Sequence, residues 1–407
     1  MTDSTPSTES RRQPAGSAGE VFVTFLKLGL TSFGGPIAHL GYFRDELVVR
    51  RKWLNEKAYA DLVALCQFLP GPASSQVGFA LGLLRGGPLG ALAAFTAFTL
   101  PSALLLIAFA FGSTMMGGRI GSGILIGLKI VAVAIVAQAV WGMARNLCPD
   151  KERATIALGA VLVVMLAAGA IGQVAAITLG AVAGLLFCRG PGAELTGHIG
   201  FPVSRSTGTL FLAAFFILLI GLPVLAATAG SQGVSLFDAF YRSGALVFGG
   251  GHVVLPLLEA EVVRSGWVSH DAFLAGYGAA QAVPGPLFTF AAYLGAVSGP
   301  EPNGIAGAAI ALVAVFLPGF LLLLGTLPFW DAFRKQASAQ ALMRGANAAV
   351  VGILGAALYS PVFTSAITGP YPFALALTCF VLLMAWKTPP WIVVLVAAAG
   401  GILIGLA

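Results

Sequence analysis

Two short stretches of the sequence place hydrogen-bond donors inside segments apolar enough for lipid. Residues 67–76 read QFLPGPASSQ, and residues 281–290 read QAVPGPLFTF. In each, a Pro-Gly-Pro triplet, Pro70-Gly71-Pro72 or Pro284-Gly285-Pro286, interrupts the apolar run. Proline suits the first turn of a helix, where an amide would have no partner. The triplet therefore ends one half-helix and opens the next, exposing the amides of Ala73, Ser74 and Ser75 in the first stretch and of Leu287, Phe288 and Thr289 in the second. Free amides at the positive end of a helix dipole make a place for an anion, with hydroxyls beside them. A kink that only aids packing is the plainer reading of one break. Two related breaks, each followed by hydroxyl residues, favour a ligand. Gln67 and Gln281 stand three residues before the triplets and can bond either frayed backbone or solute. Gly34-Gly35-Pro36 and Gly249-Gly250-Gly251 let backbone approach backbone or solute, because no Cβ intervenes.

Other polar residues in the apolar segments are few. Lys129 lies well inside one, where an ammonium costs at least about 2.5 to 3.5 kcal/mol. It must face water, attract an anion or hold an ion pair. Lys27 and Arg242 lie nearer segment ends and are expected to snorkel to headgroups. His39 and His252 do not align with each other, and a lone histidine is more often packed than functional. Asp61, with no acidic counterpart, is a weak candidate for ion coupling. Trp53 and Trp267 suit anchors at the membrane interface.

These residues must be positioned by helices in a membrane. The chain of 407 residues is 58% hydrophobic and 9% charged, with a mean hydropathy of +0.92, so it has too little polar surface for a soluble body. The four cysteines, Cys66, Cys148, Cys188 and Cys379, show neither metal-ligand spacing nor a disulfide framework. No metal and no cofactor are expected. The basic excess of +6 records membrane orientation rather than nucleic-acid binding, since no soluble domain offers a surface for it. An intramembrane enzyme would need acids, histidines or metal ligands clustered at membrane depth, and the segments provide almost none.

Ordinary spanning segments are expected at 88–112, 121–144, 154–170, 171–188, 208–229, 303–326, 340–358, 371–386 and 389–406. Four further segments, 20–40, 58–84, 236–256 and 272–298, are broken by the glycine and proline motifs. They form two copies of one pair: Phe33-Gly34-Gly35 falls on Phe248-Gly249-Gly250, Trp53 on Trp267, Gln67 on Gln281, and one Pro-Gly-Pro on the other. The expected organisation is a disordered tail (1–19), a first repeat (20–188), a linker (189–235) containing a joining helix at 208–229, and a second repeat (236–407). If the broken segments enter and return on one side, Arg119 and Arg264 are the only basic residues on the outer face, and the amino terminus is cytoplasmic. An odd number of crossings then separates the repeats. The fold class is an all-α polytopic membrane protein whose two homologous halves are inverted, with broken or re-entrant helices meeting near the midplane.

Four stretches carry a resemblance: TSFGGPIAHLGYFRDE, CQFLPGPASSQVG, FGGGHVVLPLLE and QAVPGPLFTFAAYLGA. Together they resemble the long-chain, two-domain members of the chromate ion transporter family, over nearly the whole chain. The resemblance implies a bacterial inner-membrane transporter that exports chromate, a tetrahedral dianion shaped like sulfate. It also implies that Gly34 to Pro36, Gln67 with Pro70 to Ser75, Gly249 to His252, and Gln281 with Pro284 to Pro286 carry the family's motifs. A passive oxyanion channel or a sulfate-related permease fits the same residues. Lipid is an expected partner, and glycine-rich helix faces are compatible with a homodimer.

Overall fold

A computed structural model describes residues 16–115, 118–167, 169–189, 201–334 and 336–406. The tail expected over 1–19 lies outside the described residues as far as residue 15, as does the stretch 190–200 of the linker. Among the described residues every regular element is helical.

The first half contains α1 (Ala18–Thr31), α2 (Gly35–Phe43), α3 (Glu56–Phe68), α4 (Ala73–Met115), α5 (Gly118–Leu147), α6 (Lys151–Leu166) and α7 (Ala170–Phe187). A joining helix, α8 (Arg205–Ala229), follows. The second half contains α9 (Gln232–Ala245), α10 (Val254–Leu258), α11 (His270–Ala280), α12 (Phe290–Val297), α13 (Gly304–Thr326), the short α14 (Trp330–Phe333), α15 (Ala337–Ala357), the single turn α16 (Thr364–Ala366), α17 (Pro370–Met384) and α18 (Pro390–Leu406). Helix α4 is two helices joined at a kink, with Gly86 and Gly87 outside helical geometry. Its parts on either side of the kink correspond to α12 and α13. Among the described residues six helices are long and apolar enough to cross a membrane, while α17 and α18 are shorter apolar helices.

All four expected breaks occur where the glycine and proline motifs stand: between α1 and α2, between α3 and α4, between α9 and α10, and between α11 and α12. Side-chain caps set the helix starts. Asn55 Oδ1 accepts the Ala58 amide at 2.8 Å at the start of α3, and Ser269 Oγ accepts the Ala272 amide at 3.2 Å at the equivalent start of α11. After Phe43 the chain continues α2 as a π-helical stretch over Arg44–Arg50.

The two halves exchange their last helices. Helix α18 packs along α5, and α7 packs along α15. In both contacts glycine faces glycine. A Cβ at Gly127 would lie 2.1 Å from the Ala397 carbonyl oxygen, and one at Gly345 would lie 2.0 Å from that of Gly180, so neither position accepts a larger side chain. These glycine faces are occupied within a single chain. Each half thus completes the other's core.

Contacts along α7 fix the relative direction of the halves. At its start, Gly169 lies near the Arg264 guanidinium, which belongs to the connection between α10 and α11. At its end, the Arg344 guanidinium of α15 donates to the Cys188 carbonyl at 3.1 Å. Arg334, just before α15, donates at 2.8 Å to Asp61 of α3. The connection before α11 and the equivalent connection before α3 therefore sit at opposite ends of α7. The halves are inverted.

Ion pairs replace two expected snorkelling side chains. Lys27 Nζ lies 3.3 Å from Glu46 and the equivalent Arg242 lies 3.0 Å from Glu261, with Asp238 also 3.0 Å from Arg242. Asp61 is likewise bound, by Arg334 and by the Trp330 indole at 3.2 Å. Trp53, expected as an interface anchor, has the Arg85 guanidinium 5.5 Å above its ring.

Inversion sets a labelling test. Asp45 and Ser265 lie on exposed, equivalent connections. Single cysteines at these positions, in a background without the native cysteines, are expected to react with an impermeant thiol reagent from opposite faces of sealed vesicles. Reaction of both from one face would contradict the inverted arrangement.

Candidate functional site

The broken helices meet through two equivalent hydrogen bonds. The Gly71 amide donates to the Val247 carbonyl at 2.7 Å, and the Gly285 amide donates to the Ser32 carbonyl at 2.9 Å. Ser32 and Val247 occupy matching positions in the repeat, as do Gly71 and Gly285. Each Pro-Gly-Pro turn thereby pairs with backbone just before the glycine pair of the other half. Unwound backbone at membrane depth requires such partners.

The turns are also packed closely. Gly71 has φ +119° and Gly285 φ +103°, both in the region that favours glycine. A Cβ at Gly71 would stand 3.0 Å from the Gly319 Cα, and one at Gly285 2.8 Å from the Ser102 Oγ. Gln76 fixes the first turn from behind, its side-chain amide donating to the Gly319 carbonyl at 2.9 Å and the Pro70 carbonyl at 3.1 Å.

Beside this junction lie two adjoining cavities, of about 480 and 270 Å³. The larger is lined by Gly34, Gly35 and Pro36 at the start of α2, by Gly249, Gly250, Gly251 and His252 before α10, and by Gln67, Gly71 and Ala73 around the first Pro-Gly-Pro turn. The smaller shares Gly34, Gly35 and His252 with it and adds Gln281. Both glycine motifs thus bring a helix start to the cavity, in addition to the start of α4 at Ala73. Amides at helix starts have no partner within their own helix and carry partial positive charge.

Several expected residues lie elsewhere. Pro70, Pro72, Pro284, Gly285, Pro286 and Leu287 build the turns without lining either cavity. The expected hydroxyls face into the protein. Ser74 Oγ sits 3.4 Å from His39 Nδ1, Ser75 is buried, and Thr289 Oγ1 donates to the Pro286 carbonyl at 2.7 Å. The cause is helical geometry: with Ala73 turned toward the cavity, the next two side chains swing about 100° and 200° away from it. Lys129 is also absent from the cavity. It pairs with Asp271 at 2.9 Å and lines a separate space with Ser122 and Tyr293. His39 packs edge-on against Phe98 with ring centres 5.4 Å apart, whereas His252 reaches both cavities and its Nδ1 shares a 2.6 Å hydrogen bond with the Tyr277 hydroxyl.

Five polar lining residues were not singled out in the sequence: Gln138 and Asn146 of α5, Asn347 of α15, and Lys387 and Thr388 between α17 and α18. Gln138 and Asn347 carried a usable signal, being amides inside long apolar segments. Lys387 carried none, because a lysine in a connection between spans is ordinary. The Gln281 Nε2 and the Asn347 Oδ1 are buried without a partner in the protein. Among the described residues no carboxylate lines either cavity. Neutral donors, helix starts and one ammonium make an environment suited to an anion and poor for a cation.

The family model described as chromate transporter matches residues 19–185 and again 234–402. A chromate transport protein of Pseudomonas aeruginosa is 30% identical over 410 residues, covering 97% of this chain and 94% of its own. A chromate transport protein of Cupriavidus metallidurans is 27% identical, covering 99% and 96% respectively. A probable chromate transport protein of Synechococcus elongatus is 29% identical over 85% of this chain and 84% of its own. No solved structure matches the chain.

The second turn gives a stability test. Gly285→Ala adds a Cβ at positive φ against Ser102 and is expected to destabilise the protein by at least about 1 kcal/mol. A lowered midpoint of thermal unfolding in detergent reports it. Adding Ser102→Gly should recover only the steric part, leaving the backbone strain. A wild-type midpoint for Gly285→Ala would show that the turn tolerates a side chain.

Proposed function

The chain belongs to the chromate transporter family, and from that premise we propose that it carries a tetrahedral dianionic oxyanion, chromate or a sulfate-like relative, through the paired cavities. The observation that carries this reading is the convergence of three helix starts and five neutral amide side chains, Gln67, Gln138, Asn146, Gln281 and Asn347, on a space without carboxylates among the described residues. Four oxygens on one tetrahedral guest accept several donors at once, and hydrogen bonds to a charged acceptor are stronger than neutral ones. The relatives are named as transport proteins, and the present chain shares their length.

In the proposed mechanism the guest sits between the glycine pairs Gly34-Gly35 and Gly249-Gly250-Gly251, with Gln138 and Gln281 as side-chain donors. The Pro-Gly-Pro turns act indirectly. They terminate α3 and α11 and hold the two halves in register, so that the helix starts point at one place. His252 is positioned by Tyr277 and presents its other ring nitrogen toward the solute. Ser74, Ser75 and Thr289 are assigned structural roles here, in place of the solute contacts expected from sequence.

The direction proposed is export across a bacterial inner membrane, with the amino terminus in the cytoplasm. The cavities lie toward the ends of α5 and α17, near Asn146 and Lys387, the face that holds most of the basic residues. An inside-negative potential favours expulsion of anions by roughly 2.3 kcal/mol per charge per 100 mV. That driving force acts on both charges of the guest, so no protonatable residue need carry the coupling. The repeats are proposed to span 20–188 and 236–407 and to rock against each other about the reciprocal junction.

Reconstitution tests the reading. Purified protein in liposomes is expected to give saturable chromate flux that sulfate inhibits and a membrane potential accelerates. Gln138→Leu should lower kcat/KM by about tenfold or more, the loss of a hydrogen bond to a charged guest. Ser75→Ala should stay within about twofold of wild type, since its hydroxyl contacts no cavity. No flux from folded wild-type protein would sink the proposal.

A further inference from the structure

Lys387 occupies a backbone conformation that its side chain disfavours. It has φ +53°, in the left-handed region that residues with a Cβ disfavour. The turn around it closes α17. The amides of Ala385 and Trp386 donate to the Val381 carbonyl at 2.9 and 3.3 Å, and the Thr388 amide reaches back to the Leu382 carbonyl at 3.0 Å. Lys387 follows the C-cap residue Ala385 by two positions, and its left-handed backbone is one that glycine usually supplies just past a helix end. A lysine in this conformation beside a cavity points to a use for its side chain.

Its surroundings supply that use. Lys387 lines the smaller cavity with Gln138, His252 and Gln281, and this cavity shares Gln138 and His252 with the larger one. Four other basic side chains of the helical body are matched by carboxylates: Lys27 by Glu46, Lys129 by Asp271, Arg242 by Glu261 and Arg334 by Asp61. Among the described residues Lys387 has no such match, and it is exposed. The uncompensated charge at the site is therefore its ammonium.

Resting on the oxyanion-transport reading, we propose that Lys387 is a specificity-determining residue. It recruits the divalent anion to the smaller cavity and favours dianions over monoanions of the same shape. Neutral amides recognise the oxygens of a tetrahedral guest. The ammonium reads its charge, because Coulomb attraction to a dianion is twice that to a monoanion. Its exposure makes this attraction sensitive to salt.

The test uses the full chain in liposomes with labelled sulfate or chromate. Lys387→Asn removes the charge with a residue that tolerates left-handed backbone, and Lys387→Arg keeps the charge. Lys387→Asn is expected to raise KM about five- to tenfold while kcat stays within about twofold, and Lys387→Arg to keep both within about twofold. Raising ionic strength from about 20 to about 200 mM should raise the wild-type KM and leave that of Lys387→Asn nearly flat. Perchlorate, a tetrahedral monoanion, should gain as an inhibitor relative to sulfate in Lys387→Asn. Wild-type flux together with a Lys387→Asn variant of unchanged KM, salt response and inhibitor preference overturns this proposal alone. Absence of flux in the wild type overturns the transport reading and this proposal with it.

Discussion

Backbone that leaves helical geometry inside a hydrocarbon layer must find partners for its amides and carbonyls, since lipid has none to give. This chain meets that demand twice by the same device, the Gly71 amide on the Val247 carbonyl and the Gly285 amide on the Ser32 carbonyl. Neither half can satisfy its own break. Each turn needs the carbonyl that the other half provides, so the repeats are stable only as a pair with two-fold related contacts. The exchange of terminal helices, α7 onto α15 and α18 onto α5, extends the same dependence to the periphery of the fold. Glycine at 127 and 345 permits the close approach of those helices, just as glycine at 71 and 285 permits the turns. These four glycines therefore serve one end, bringing two inverted halves near enough to share backbone partners.

The pairing is symmetric, but the site beside it is not. Helix α5 brings Gln138, Gly142 and Asn146 to the larger cavity. The repeat register of Gly127 on Gly345 places Ala356, Ser360 and Thr364 at the equivalent positions of the second half, and Gly169 opposite Lys387. The duplicated frame has been kept while the polar lining has diverged on one side. A site of this kind is reached from one face at a time in a given arrangement of the halves. In an inverted-repeat frame, a rocking motion exchanges the conformations of the two halves and so moves access to the opposite face.

Much of this was legible in the sequence because it rests on local chemistry. The four breaks follow from proline and glycine, whose backbone preferences act wherever they stand, and the caps at Asn55 and Ser269 follow from short polar side chains ahead of apolar runs. The duplication was legible as well, since Phe, Gly, Trp, Gln and Pro keep register over two long spans. Side-chain destinations were not. Lys27 and Arg242 were expected in the headgroups, yet each finds a glutamate nineteen residues away after the chain has turned back, a contact that depends on where α2 and α10 end. Ser74, Ser75 and Thr289 had the right chemistry for a solute, but the rotation of α4 and α12 about their axes decides which way they face. Of the alternatives open to Lys129, an anion-attracting charge or an ion pair, the structure takes the pair with Asp271, away from both cavities. Residue type limits what a position can do; the tertiary rotation of its helix selects among those options.

The choice of donors has a consequence for turnover. A carrier must bind its guest well enough to select it and loosely enough to release it at the other face. A cluster of arginines would hold a dianion through bidentate, charge-assisted bonds. Such a grip would have to be broken in every cycle. Here the polar part of the lining is made of amides, His252 and backbone, while among the described lining residues the one ammonium, that of Lys387, is exposed. Charge can then act on entry, where it raises the local concentration of the anion, and contributes less at depth, where a strong electrostatic well would trap it. The pairing of Lys27, Lys129, Arg242 and Arg334 with carboxylates fits the same division, because it keeps strongly binding cations in the frame of the protein from competing for the solute.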